Sequence, residues 1–335
     1  MKSKAAFVCR NEMVKSVYKE TMPKLLAEPA LEFPDEIISA ENIEKYRDYA
    51  ADCRYIFSTW GMVPELSKYF KNCEVIFYGA GSVQYFAREY LEKGIKVSSS
   101  WVANGVPVAE VALSKILLSC KGHFKIMGKL KSREGWNSQR AFITENYRGN
   151  YNQKIGILGA GTIGSRVIEY LKRLDIKAEI LVYDPYYPEQ KAAAAGVKKA
   201  SLEEIFSSCT VISNHVANLP ATQKMINKSH FALMQNYATF INTGRGAQIE
   251  ESDLIEAAKL DPTLTVLLDV TEPEPPEEES ELYKLENVIM TPHIAGCTGD
   301  EILRMAEYMY GEYKLYESEG KLAYEVTLDM LEYMA

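Results

Sequence analysis

The sequence predicts an α/β protein built from two parallel-sheet domains, and three observations carry that prediction. Its 335 residues exceed what one typical hydrophobic core organises and suit two. Short β-rich runs alternate with longer amphipathic segments twice along the chain, the pattern of strands joined by crossover helices. A glycine-rich turn, Gly159-Ala160-Gly161-Thr162-Ile163-Gly164, opens the second series between a strand-like and a helix-like run.

The first series comprises AAFVC (5–9), YIFST (55–59), EVIFYGA (74–80) and VSSSW (97–101). A helix is expected from Pro107 to about Lys129, where Val108, Val111, Ala112, Lys115, Ile116 and Ser119 interleave apolar and polar sides. It bridges the two domains. Trp136 to Asn152 reads as a polar, aromatic connector. The second series is KIGILGA (154–160), EILVYD (179–184), TVISNH (210–215), ATFINT (238–243), LTVLLDV (264–270) and NVIMTPH (287–293). Six such runs with helices between most of them suit a doubly wound nucleotide-binding domain ending near Gly296. A last helix, roughly Asp300 to Ser318, is expected to pack back against the first domain.

Composition removes several function classes from consideration. A net charge of −8, without any Lys/Arg-rich stretch, lacks the electrostatic footprint of a nucleic-acid binder. The first residues carry two early lysines but no sustained apolar run, and no later run is expected to reach the length of a membrane span. No membrane partner is expected, and the expected location is the cytoplasm. The six cysteines include no CxxC pair and fit a reducing compartment. The four histidines lack metal-ligand spacing, so no metal is expected.

The glycine turn has the flanks that a dinucleotide cradle needs. A glycine is wanted first for the tight turn, second for close approach of the backbone to a pyrophosphate, and third for packing of helix on strand. The helix N-terminus, through Thr162 and Ile163, offers unpaired N–H groups and partial positive charge to that anion. Asp184 closes the next strand, 20 residues after Gly164, where a carboxylate accepts hydrogen bonds from the adenosine ribose and repels a 2′-phosphate. Pro185, Tyr186 and Tyr187 follow it with no arginine, which favours NAD over NADP.

Three further strand ends each present one useful side chain: Arg245 in Thr243-Gly244-Arg245-Gly246, Glu274 in the run from Asp269 to Pro275, and His293 in Pro292-His293-Ile294-Ala295-Gly296. Reducing a 2-keto acid needs a cation for its oxygens and a proton donor aligned with the hydride. Arg245 supplies a planar fork that lysine does not copy. His293 exchanges a proton near neutral pH, and Glu274 orients the imidazole.

With these motifs in this order, from Val106-Pro107-Val108-Ala109-Glu110 to Pro292-His293-Ile294-Ala295-Gly296, the sequence resembles the D-isomer-specific 2-hydroxyacid dehydrogenase family. The resemblance implies two Rossmann-like domains, a doubly wound NAD-binding domain (103–296) inserted into a discontinuous, flavodoxin-like substrate domain (1–102 and 297–335). It implies Arg245, Glu274 and His293 as the catalytic set. It implies Gly159, Gly161, Thr162, Ile163, Gly164, Asp184, His215, Thr243 and Gly296 on the NAD side, with Asp269 near the nicotinamide carboxamide. In the first domain, Tyr78-Gly79-Ala80-Gly81-Ser82-Val83 looks like the family's glycine-rich loop, whose N–H groups at Ala80, Gly81 and Ser82 hold the substrate carboxylate. The aspartate often found after that loop is absent, and alanine stands at 217 where the family commonly has proline. A homodimer through the nucleotide domain is also implied.

The activity expected is hydride transfer between NAD(H) and C2 of a small 2-hydroxy/2-keto acid such as glyoxylate or hydroxypyruvate, with Trp60 bounding the substrate pocket. Two alternatives stay open: a non-catalytic NAD(H)-sensing protein of the same fold, and a phosphite-type dehydrogenase. Formate-type oxidation is disfavoured because glutamate, not glutamine, stands at 274.

Overall fold

The computed structural model describes residues 2–10, 12–130 and 132–333. The chain divides into two compact units, Met1–Gly105 with Cys297–Ala335, and Val106–Gly296. The first boundary therefore falls after Gly105 rather than after Val102. Thirteen strands occur among the described residues: β1 (Ser3–Phe7), β2 (Leu31–Glu32), β3 (Tyr55–Ser58), β4 (Val75–Tyr78), β5 (Lys96–Ser99), β6 (Lys154–Leu158), β7 (Glu179–Tyr183), β8 (Lys198–Lys199), β9 (Val211–Asn214), β10 (Thr239–Asn242), β11 (Thr265–Leu268), β12 (Val288–Met290) and β13 (Glu325–Val326).

In the first unit the sheet order is β13-β5-β4-β3-β1-β2. The five strands from the N-terminal segment pair in parallel and follow the flavodoxin-like order 2-1-3-4-5. Only β13 runs antiparallel, at the edge. Side chains alternate between the faces, as the period of two requires. Ala6, Ile56, Ile76 and Tyr78 enter one apolar cluster, whereas Ala5, Phe7, Tyr55, Phe57, Val75 and Phe77 enter the other. The C-terminal helix Glu301–Glu319 packs Met305, Ala306, Met309 and Tyr313 into the second cluster. Its buried Glu312 accepts hydrogen bonds from Ser98 Oγ (2.7 Å) and from the N–H groups of Ala323 and Tyr324 (both 3.0 Å), which fixes the turn leading to β13.

In the second unit the order is β12-β11-β10-β9-β6-β7-β8, with every pairing parallel. Strand order reverses between β6 and β9, which makes the C-terminal ends of those strands the topological switch point where ligands gather. Both faces are covered, by Ile155, Ile157, Ile180, Val182 and Ile241 on one side and Leu158, Leu181, Ile212, Phe240 and Val266 on the other. Strands buried on both faces read as nearly continuous apolar runs.

Three details differ from the sequence expectation. The bridging helix spans Trp101–Cys120 and carries Pro107 inside it, instead of starting there. A separate short helix, His123–Ile126, follows. The expected connector overlaps a 14-residue helix, Arg133–Asn146, whose N-cap Ser132 accepts from Gly135 N–H; its polar composition gave no clear apolar stripe. Finally, Trp101–Cys120 is long and apolar enough to cross a membrane, contrary to the expectation that no run reaches that length. Length and composition do not separate a span from a packed helix, and here Ala109, Ala112, Ile116 and Cys120 belong to the apolar cluster of the second unit.

Candidate active site

The glycine turn leaves β6 at its C-terminal end and opens the helix Thr162–Lys172. Gly159 adopts φ 82°, a left-handed conformation that glycine takes without steric cost. At Gly164 a Cβ would lie 1.9 Å from the Gly159 carbonyl oxygen, so only glycine permits this helix-to-strand contact. At Gly161 a Cβ would meet nothing within 4 Å. The space in front of Gly161 is open, next to the unpaired first-turn N–H groups of Thr162 and Ile163. That arrangement fits a pyrophosphate.

Asp184 follows β7 directly. Its Oδ2 accepts from Ala160 N–H and its Oδ1 from Tyr186 N–H, both at 2.8 Å. The side chain therefore ties the glycine turn to the β7 loop, and each oxygen keeps a lone pair for a ribose hydroxyl.

His215 is buried and takes a different place from a group that reaches out to a ligand. Its Nε2 lies 3.0 Å from Ser213 Oγ and its Nδ1 3.1 Å from Thr243 Oγ1. Desolvation lowers its pKa to about 3, so the ring is neutral and is no proton carrier. Its backbone packs under Gly159, where an added Cβ would come within 2.7 Å of the His215 carbonyl oxygen.

The loop carrying Arg245 rests on a buried amide network that sequence reasoning missed. Asn214 Nδ2 donates to Asn242 Oδ1 (3.0 Å) and Gln248 Oε1 (2.6 Å). The same two oxygens accept from Gly244 N–H (3.0 Å) and Arg245 N–H (3.1 Å), while Gln248 Nε2 reaches the Val216 carbonyl at 2.6 Å. All three amides are fully buried. The available signal was an asparagine at the end of two neighbouring strands, TVISN and ATFIN. Arg245 itself is partly buried, and one guanidinium nitrogen donates to the Gly244 carbonyl at 2.7 Å. Burial pulls its pKa down, and the negative charge of Glu274 opposes that shift.

Glu274 and His293 meet. His293 Nδ1 lies 2.6 Å from Glu274 Oε1, and both side chains remain open to solvent at 45% and 40% exposure. Glu274 stands between two proline peptide bonds that are both cis. His293 has φ 52°, and its N–H donates to the carbonyls of Asp269 (2.9 Å) and Thr291 (3.0 Å). Asp269 is buried, and its carboxylate is committed to the same loop. It accepts from Thr291 Oγ1 (2.5 Å), Ile294 N–H (3.1 Å) and Ala295 N–H (2.9 Å). Thr243 is buried beside His215, and Gly296 ends the unit just after this loop.

In the first unit, Gly81 and Ser82 make no backbone N–H bond among the described residues, and the Gly81 carbonyl accepts from Ser99 Oγ at 2.7 Å. Ala80 differs from the sequence expectation. Its N–H already donates to the Tyr78 carbonyl at 2.9 Å, because the chain turns sharply after β4, and so it is not a free donor. Trp60 is partly buried and packs against both apolar clusters of that unit. Among the described residues no group of three or more His, Cys, Asp or Glu side chains is placed to hold a metal. A hollow of about 420 Å3 lined by Phe124, Lys125, Pro262 and Ile289 contains none of the sequence-predicted site residues.

A doubly wound dinucleotide cradle, with a guanidinium and a carboxylate-paired imidazole on loops after its strands, defines a dinucleotide-binding unit that carries an acid–base pair. Residues 114–295 match the family model "D-isomer specific 2-hydroxyacid dehydrogenase, NAD binding domain", and the chain belongs to that family. It is 32% identical over 215 residues to a D-3-phosphoglycerate dehydrogenase of Archaeoglobus fulgidus, a match covering 64% of this chain and 39% of that protein. It is 29% identical over 285 residues to a hydroxypyruvate reductase of Thermotoga maritima, covering 84% of this chain and 90% of that one. The chain thus spans about two-fifths of the length of the phosphoglycerate dehydrogenase it matches. The fold is similar to the crystal structure of apo D-mandelate dehydrogenase from Rhodotorula graminis, with TM-score 0.78, 18% identity, and 97% and 98% of the two chains covered.

Proposed function

We propose that this protein is an NAD-dependent dehydrogenase acting at C2 of a small 2-hydroxy/2-keto acid. The observation that carries this reading is the 2.6 Å contact between His293 and Glu274, in the same unit as Arg245 and the dinucleotide cradle. Bound NAD(H) supplies the hydride donor or acceptor. In the direction of reduction, Arg245 draws electron density toward the substrate carbonyl oxygen, and its charge stabilises the alkoxide as it forms. Protonated His293 gives its proton to that oxygen, and Glu274 balances the imidazolium before the transfer. In oxidation His293 takes the proton back. The unbonded N–H groups of Gly81 and Ser82 take the substrate carboxylate.

Glyoxylate, hydroxypyruvate and related D-isomer acids are the substrates proposed, with Trp60 bounding the group on C2; relatives named phosphoglycerate dehydrogenase and hydroxypyruvate reductase support the class. A homodimer is proposed through the second unit, where Leu118, Met127, Leu130 and Trp136 expose apolar surface. A cytoplasmic location is in keeping with the thiols of Cys53, Cys73, Cys120 and Cys209, which are buried and unoxidised.

A panel of 2-keto acids with NADH and NADPH tests the reading. Turnover of at least one acid is expected, abolished in His293→Ala with NADH binding retained. Tight NADH binding without turnover of any acid would replace it with the sensor alternative.

A further inference from the structure

The loop that carries His293 is held from outside itself. His293 has a left-handed backbone that a side-chain-bearing residue rarely adopts. Asp269, just beyond the end of β11, imposes it: the Asp269 carbonyl accepts the His293 N–H, and its carboxylate accepts those of Ile294 and Ala295. A carboxylate only 2% exposed needs donors or a countercharge to offset its lost hydration. One further donor is the Thr291 hydroxyl, 2.5 Å from Oδ1. With its single proton directed at Asp269, that oxygen remains an acceptor, and Lys115 Nζ lies 3.4 Å from it.

Lys115 comes from the middle of the helix Trp101–Cys120, between Ala112 and Ile116, which lie in the apolar cluster. It is half-buried and forms no ion pair among the described residues. Burial lowers its pKa, and the Asp269 charge opposes the shift. An apolar side chain at this position would avoid the desolvation cost altogether. The chain from ammonium to hydroxyl to carboxylate is the compensating arrangement that the geometry offers.

We propose that Lys115 is a positioning residue for the step assigned to His293: through the Thr291 hydroxyl it holds the Asp269 carboxylate, which in turn fixes the loop 293–295. The effect on rate rests on the dehydrogenase reading, whereas the positioning is measurable without turnover.

The experiment compares Lys115→Met, Thr291→Val, the double variant and the conservative Thr291→Ser. Hydrogen exchange at the Ile294 and Ala295 amides is measured alongside the NADH dissociation constant, kcat and KM for an accepted keto acid. Loss of one charge-assisted link is expected to speed exchange at both amides by about tenfold in each single variant. The double variant should be no faster than Thr291→Val alone, since both changes cut one chain, and Thr291→Ser should match the parent. kcat should fall by a similar factor, with KM and NADH affinity changed by less than about twofold. Unchanged exchange in a folded Lys115→Met protein, or additive effects in the double variant, overturns the proposal. If Met at 115 prevents folding, Lys115→Gln replaces it with the same two outcomes. Absence of turnover in the parent would sink the dehydrogenase reading while the exchange data still decide the positioning role.

Discussion

Two glycines of one turn separate binding from folding. In Gly161→Ala the new methyl enters open space, with no heavy atom within 4 Å. Its costs to the fold are the poorer N-cap and its gain is the stiffer unfolded chain, each worth about 1 kcal/mol or less and opposite in sign. Stability should therefore stay within about 1 kcal/mol of the parent. The same methyl occupies the space assigned to the pyrophosphate, and loss of one hydrogen bond to that charged group costs about 2 kcal/mol, or roughly thirtyfold in NADH affinity. In Gly164→Ala the Cβ would lie 1.9 Å from the Gly159 carbonyl oxygen and 3.0 Å from its carbon. Backbone must move, and about 3 kcal/mol of stability is expected to go with it. Urea unfolding reads the first quantity and quenching of protein fluorescence by NADH the second. Gly161→Ala with unaltered NADH affinity would refute the placement of the pyrophosphate.

Other perturbations act on the site directly. Glu274→Gln keeps a hydrogen-bond acceptor beside His293 but removes the charge, so kcat/KM should fall about tenfold or more with NADH affinity unchanged; steady-state kinetics with a separate binding titration checks this. Arg245→Lys keeps the charge without the fork and should cost roughly a hundredfold in kcat/KM, measured on the same keto acid. His215 supplies a pH dependence. Its folded pKa of about 3 lies below the 6.5 of a solvated imidazole, so the unfolded chain binds the extra proton and stability falls as pH drops below 6.5. Between pH 7 and pH 5 this contributes a loss of about 2 kcal/mol. His215→Asn should lack that increment in urea unfolding at the two pH values, and an identical slope in both proteins would contradict the burial argument.

The central strands β6, β9, β10 and β11 were legible because burial on both faces leaves unbroken apolar runs in the sequence. The edge strands β2, β8 and β13 were not, since two residues carry no period and their pairing depends on partners far along the chain. Lys198–Lys199 looks like a solvated charge pair until β7 is placed beside it. The cradle was readable residue by residue, including which glycine needs its backbone angle and which faces open space. The pairing of Glu274 with His293 was expected from the chemistry of two side chains at strand ends, whereas the role of the N–H groups at Gly81 and Ser82 was reachable only through resemblance, because spacing alone does not bring distant loops together. The amides of Asn214, Asn242 and Gln248 and the ammonium of Lys115 escaped notice because buried polar groups declare themselves through partners, not through local pattern.

The placement of β13 bears on the order in which the protein is synthesised. Val106–Gly296 is one continuous stretch, so its sheet has all its strands before Glu325–Val326 is translated. Strands β1 to β5 precede that stretch but lack β13 and the helix bearing Glu312 until the whole of it has been made, leaving the β5 edge unpaired throughout that interval. An open edge on a nascent chain invites pairing with a neighbour on the same polysome, so the sheet split around the other unit is the one exposed to that hazard the longer.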